Sequence, residues 1–513
     1  MRFFPSYVVG FLFQTLGLLF LFSNPSVATA QSAGRPPRIP RHVSYTVPPG
    51  ISSPVYLTVL PSASCKLRNK RDDDTDDDDA EDATPLATPV AADVAPTDAG
   101  LFSDAAGNIR VNVEPSPNAA DTSVILVLRC QNDTAKMRQR VHLRASGASL
   151  PNAPFPPATD PAWNQPALKV LPAITGDPAL YSDNDLRQIG YPPRPDPTGN
   201  PNAYAAWLDA VSKPIKVIVA QLATNSELRH APTYGKPSAN WSGFELLPYY
   251  PNASKGDYQT RDNYYEISGH WIAPHVTGEA LRTSYVSIWP GIDGDYSGDL
   301  AQAGTNHGAL PAILAFHPFF QFGGTQAFWN VTFDEAWTEV LPDQPTEQVI
   351  TNFPVHPGDS ILCYVGFFEG SSNGLLTQGA SFQLINTNPN TSEHTLVQVE
   401  TLMDLFDAPL STAEWIVERP GRVVNNQLVG YYDLANYRSQ CTYPPGSDYS
   451  ALHIDATNAG AISPQNTSTL FDFLGQLNYN ISMMSGNNIL SGVYAYPYSP
   501  NPSTMCFGWF GFR

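Results

Sequence analysis

Lysine disappears from this chain after Lys255: none follows in the remaining 258 of 513 residues, and from Pro237 onward seven Lys and Arg side chains stand against twenty-five Asp and Glu. Such scarcity of positive charge excludes a nucleic-acid surface, which needs clustered Lys and Arg. It also predicts tolerance of acid. Once the carboxylates are neutral, only those seven cations and seven histidines remain to repel one another. Cysteine is scarce too: Cys65, Cys130, Cys363, Cys441 and Cys506 are too few for a disulfide scaffold and lack the paired short spacings of a zinc site. Spacing suggests Cys65 with Cys130 and Cys441 with Cys506, leaving Cys363, in the apolar run Ile361-Leu-Cys-Tyr-Val365, as a buried thiol. Beyond the first thirty residues no apolar run is long enough to span a bilayer.

Several chemistries are missing outright. There is no Rossmann or P-loop glycine pattern, no Asp-Thr/Ser-Gly element, no G-x-S-x-G elbow and no H-E-x-x-H helix, and Gly294-Asp-Tyr-Ser-Gly298 misses the elbow spacing. His270 and His275, five apart on a strand, fall on opposite faces, which argues against a metal site between them. No cofactor or metal is expected.

The first thirty residues carry Arg2, an apolar run from Val8 to Phe22 and a small-residue cleavage site at Ala28-Thr-Ala30, the signature of a secretory signal peptide. We therefore expect a secreted, extracellular, monomeric protein with no membrane association after signal removal. Seven sequons, at Asn132, Asn240, Asn252, Asn330, Asn390, Asn466 and Asn480, are candidate glycosylation sites on that route. The net charge of −19 falls to −10 when the nine acidic residues packed between Asp72 and Asp82 are set aside. That run reads as a solvated loop, because it lacks the glycine and the closing glutamate of an EF-hand.

The map that follows is signal peptide 1–30, a small β-rich domain or propeptide 31–147 with an acidic insertion 71–100, a Pro-rich linker with a short helix 148–236, and a last domain 237–513. From Asn240 onward short alternating segments recur between Gly, Pro, Asn and Asp turns, among them Tyr265–Ile272, Ser284–Trp289, Ile361–Phe368 and Glu414–Glu418. This is an all-β pattern, predicting an antiparallel β-sandwich. In Glu414-Trp-Ile-Val-Glu418, period two puts both glutamates on one face with Trp415 and Val417 on the other.

Two segments concentrate the candidate chemistry: Trp289-Pro-Gly-Ile-Asp-Gly294 running on to Gln302, and Thr-Ala-Glu414-Trp-Ile-Val-Glu418. Around them, in order, stand Asn240-Trp-Ser-Gly243, Gly269-His-Trp271-Ile-Ala-Pro274, Ala-Trp337-Thr-Glu339 with Pro342, and His-Pro-Gly358-Asp359. Together these resemble the eqolisin family of glutamic peptidases, over about 237–436. The resemblance implies a concanavalin-like sandwich and an acid endopeptidase acting on protein or peptide substrates, made as a precursor. Position by position it makes Gln302 the catalytic glutamine and Glu414 the general base. Trp289, Asp293, Gly294, Trp337 and Glu339 fall at the groove wall and its supports. The chemistry fits those residue types: peptide hydrolysis needs a base for water, a donor for the developing oxyanion and a proton for the leaving amine.

Two departures bear on specificity. Pro290 stands where the family carries a small or β-branched residue, and His307 to Gly324 reads as an insertion with four phenylalanines. Two readings from other classes stay open: a carbohydrate-binding sandwich with an aromatic platform, and a glycoside hydrolase pairing Glu414 with Asp293 or Glu339. Neither needs an amide at position 302.

Overall fold

Period-two alternation becomes strand almost throughout the computed structural model, which describes residues 39–69, 99–120, 122–146, 165–233, 237–247, 263–278, 282–295, 297–311, 313–314, 328–372, 375–403, 409–425, 427–437, 452–462, 468–471, 478–495 and 505–510. The leader, the acidic run, the four phenylalanines of the insertion, Cys441, and the sequons at Asn252 and Asn466 lie outside the described residues.

Two large sheets dominate. The main path of the first runs Leu222–Thr224, Gln348–Ile350, Phe328–Leu341, Leu300–Ala309, Ser284–Ile292, Ala413–Glu418, Trp241–Leu246 and Asn478–Ile481, every neighbouring pair antiparallel. The second is centred on Leu452–Ile462, Asn263–Ile272, Ser360–Ser372, Leu375–Asn386 and His394–Met403. The sheets meet across one core, to which the first gives Val286, Ile288, Trp415 and Val417 and the second Ile267, Trp271, Ile361 and Phe382. Trp415 also donates its indole N–H to the Ser268 carbonyl at 2.7 Å, so its one polar atom is satisfied inside the core. This is an antiparallel β-sandwich, the predicted class. Cys363 is the buried free thiol of that core, and burial pushes its pKa up, as suits a packing role.

The N-terminal strands are not set apart. Asn108–Pro115 pairs with the edge of Phe328–Leu341, and a second core joins Val55, Leu57, Val111 and Leu128 to Tyr285, Trp329 and Phe333. Cys65 and Cys130 form a disulfide there, and Cys506 is disulfide-bonded as well. Within the Pro-rich stretch, Ser182 and Asp185 make a capping box for the helix Asp183–Ile189, and Asn200 with Pro201 opens the helix Pro201–Val211. Ile215–Val219 then adds to the second sheet, parallel to His394–Met403, over a third core built on Trp207, Ile215 and Leu396.

Candidate active site

Alternation divides Ala413–Glu418 between two environments: Trp415 and Val417 enter the main core, while Glu414, Ile416 and Glu418 face the other way. In an antiparallel sheet, directly opposite residues share a face. Glu339 lies opposite Gln302, Gln302 opposite Gly291, Gly291 opposite Glu414, and Glu414 opposite Glu245. Five strands thus set one row of acids and an amide across the sheet. Four residues along, a second row on the same face contains Glu335, Asn306, Ser287, Glu418 and Trp241.

Between the rows lie Trp337, Trp289 and Ile416, which gather with Trp241 and Leu300 in a small apolar cluster of their own. Gly304 makes room for them, since a Cβ there would stand 2.7 Å from the Trp289 Cβ and 2.0 Å from the Ile288 carbonyl oxygen. Gly291 leaves the gap between Gln302 and Glu414, and a Cβ there would strike the Trp289 ring at 2.8 Å. Pro290, which has no N–H to give, coincides with a break in the ladder between the Ile288–Thr305 and Gly291–Gln302 pairs.

This face is covered by the protein's own chain. Leu228–Arg229 pairs with Gly421–Val424, Thr233 bridges to Asp295, and the Thr233 amide donates to the Gly294 carbonyl at 3.1 Å. Between these anchors His230 is fully buried on the row. Its ring stacks on Trp337 with centroids 3.6 Å apart and 9° between planes. Its Nδ1 lies 3.0 Å from Glu418 Oε2 and its Nε2 2.9 Å from Glu347 Oε2. The His230 amide donates to Glu339 Oε2 at 3.2 Å. The Gln302 side-chain amide donates to that same oxygen at 2.9 Å and reaches the His230 carbonyl at 3.5 Å.

The scaffold holds the two carboxylates independently of the histidine. Glu418 accepts from Trp289 Nε1 at 2.9 Å and from Asn240 Nδ2 at 2.9 Å, and Glu347 accepts from Asn306 Nδ2 at 2.7 Å and Asn225 Nδ2 at 2.6 Å. The other end of the row is different. Gln302 Oε1, Glu339 Oε1 and both Glu414 oxygens are buried with no hydrogen bond of good geometry among the described residues.

Protonation follows from these surroundings. Burial opposes a charge on His230, but the Glu418 charge and the hydrogen bonds with Glu347 and Glu418 outweigh it and raise the pKa to about 10. Burial raises Glu339 to about 8 even though the His230 cation pulls it down. Glu414 is pushed well above the usual carboxyl range, first by burial and then by Glu245, with the Thr412 hydroxyl acting the other way. In this buried state Glu414 holds its proton.

Some expected site residues have other duties. Asp293, at a positive φ of 66°, takes the Leu410 and Ser411 amides at 2.8 and 2.7 Å and so fixes the turn that leads into the Glu414 strand. Burial raises its pKa to about 6 against those hydrogen bonds. Gly294, at φ 109°, completes the same corner. Trp289 and Trp337 are fully buried in this state, Trp337 beneath the His230 ring. Two sequons are corrected by burial: the Asn240 side-chain amide serves Glu418 and the Ala231 carbonyl, and that of Asn330 serves the Val276 carbonyl, so neither is presented for glycosylation.

Residues 252–470, which include Gln302, Glu339 and Glu414, match the Peptidase A4 family. No curated protein matches the chain. Among solved structures, scytalido-glutamic peptidase with a peptide-based transition-state analog aligns at 17% identity and TM-score 0.32, over 53% of this chain and 98% of that one. SCP-B, an eqolisin family member in complex with the tripeptide Ala-Ile-His, aligns at 16% identity and TM-score 0.30, again over 53% and 98%. The match to the Peptidase A4 family thus covers 252–470, fewer than half of the residues, and spans the segments that carry the eqolisin resemblance in the sequence.

Proposed function

We propose that this chain is the precursor of a secreted, acid-acting endopeptidase whose catalytic pair is Glu414 and Gln302. The observation that supports this most is the row itself: an amide and a carboxyl flank a glycine, and both carry buried polar atoms without a partner. Unpartnered polar atoms cost stability, and those of Gln302, Glu339 and Glu414 share one row of the sheet, where a substrate and a water could supply the missing partners. Ionised Glu414 takes a proton from a water lying between the pair, and the hydroxide attacks the scissile carbonyl carbon. The Gln302 amide donates to the oxygen that becomes negative, and Glu414 returns its proton to the leaving nitrogen as the C–N bond breaks. A primary amide suits the oxyanion role at acid pH because it does not titrate there.

The segment from Asn225 to Thr233 is the device that keeps the precursor inactive. It covers the row, and the Gln302 donor is occupied by Glu339 at 2.9 Å and by the segment's own His230 carbonyl at 3.5 Å. Residues up to about 236 are, on this reading, the propeptide. Digestion of a protein substrate at about pH 3 to 4, near the ordinary glutamate range, tests the proposal with acid-incubated wild type beside Glu414→Gln and Gln302→Ala. Cleavage that both substitutions remove supports it; folded, processed wild type that cleaves nothing overturns it.

A further inference from the structure

The covering segment also marks where a substrate side chain would sit. His230 is gripped as a peptide residue, with its N–H on Glu339 and its C=O toward the Gln302 amide. The carbonyl facing the oxyanion donor is the one that would be attacked, so His230 occupies the place of the residue just before the cut bond. Its side chain fills a pocket with an aromatic floor, Trp337, and two carboxylate walls, Glu418 and Glu347. When the segment leaves, Asn225 leaves with it, but Glu418 stays on Trp289 and Asn240, and Glu347 on Asn306. The pocket therefore survives with its acceptors fixed. Gln302 Oε1 and Glu339 Oε1, both buried and without a partner, add polar atoms at the same place.

We propose that this pocket is a specificity subsite for planar cationic side chains, those of His and Arg, on the residue that precedes the scissile bond. The inference rests on the peptidase reading. An indole face and a pair of preset carboxylates stabilise a planar cation by stacking, cation–π attraction and charge-assisted hydrogen bonds. A neutral side chain of similar length forfeits the cation's charge-assisted contacts with both carboxylates and leaves them with their scaffold donors alone.

Two measurements test it separately from the activity. Acid-incubated full-length chain is assayed on peptides identical except for Arg, His or Gln before the cut bond. We expect kcat/KM to favour Arg and His over Gln by at least about tenfold, and Glu347→Gln to shrink that ratio. Equal rates for all three peptides, or a ratio unchanged in a folded Glu347→Gln chain, would overturn the subsite. The second measurement needs no catalysis. In a Glu414→Gln background, hydrogen exchange of residues 225–233 is compared for His230→Arg and His230→Gln, with loss of protection expected to be greater for Gln. Equal loss would count against a cation pocket even if the chain cleaves nothing, an outcome that sinks only the peptidase reading.

Discussion

Both faces of the Ala413–Glu418 strand are sealed from water, by different means. Toward the core, Trp415 and Val417 meet the apolar side chains of the second sheet, and the one polar atom among them is hydrogen-bonded. Toward the opposite side both glutamates are also buried, Glu418 against His230 of the covering segment and well hydrogen-bonded, Glu414 beside Glu245 with no hydrogen bond of good geometry. The first face contributes stability through area and packing. The second costs stability, since buried carboxyls without donors are penalised, and it is tolerated where function needs it. The contrast separates what holds the molecule together from what it is for.

The two faces should therefore respond oppositely to substitution. Glu414→Gln should lower turnover by at least about a thousandfold while leaving the melting temperature unchanged or raised, measured by protein digestion and thermal unfolding of one preparation. Gln302→Ala should cost about a hundredfold to a thousandfold in turnover. On the core face Trp415→Ala should remove about 3 to 5 kcal/mol of stability in denaturant unfolding, with inactivity following from the lost fold.

The covering segment gives a third contrast. His230→Ala leaves Glu418 and Glu347 facing one another without their shared cation, and should weaken the local closure by about 3 kcal/mol. Hydrogen exchange of residues 225–233 should accelerate accordingly, while amides of the Trp415 strand keep their protection.

A further expected effect is on pH. Asp293, raised from 3.8 to about 6, and Glu339, raised from 4.5 to about 8, keep protons in the folded chain that the unfolded chain has already released. Each therefore lowers stability as pH rises through its window. His230, raised from 6.5 to about 10, contributes stability that is complete below 6.5 and lost toward 10. All three slopes have the same sign, so the melting temperature of the precursor should fall from pH 5 to pH 9. A rise over that range would show that other carboxylates control the balance.

Much of this was legible in the sequence. Period two placed Glu414 and Glu418 on one face and Trp415 and Val417 in the core, because strand geometry is local. Glu245 was reachable by the same count from Trp241, yet only register reveals that it stands opposite Glu414. His230 carries no local signal at all. Its meaning comes from Gln302, Glu339, Glu347 and Glu418, brought to it by strands distant in sequence. The motif named Asp293 among the groove wall and its supports, but its contacts with the Leu410 and Ser411 amides, more than a hundred residues on, could be seen only in the folded chain. The Pro-rich stretch concealed Ile215–Val219, since tertiary pairing decides the fate of a short apolar run between prolines.

Closure of the row by Asn225–Thr233 and the activity it withholds can be followed together. The purified precursor is shifted to acid, and samples are split between hydrogen exchange of residues 225–233 and digestion of a protein substrate. Activity should appear only as protection of that segment disappears, with the two time courses superimposing. Full activity while His230 and its neighbours remain protected would contradict the assignment of this face as the catalytic groove.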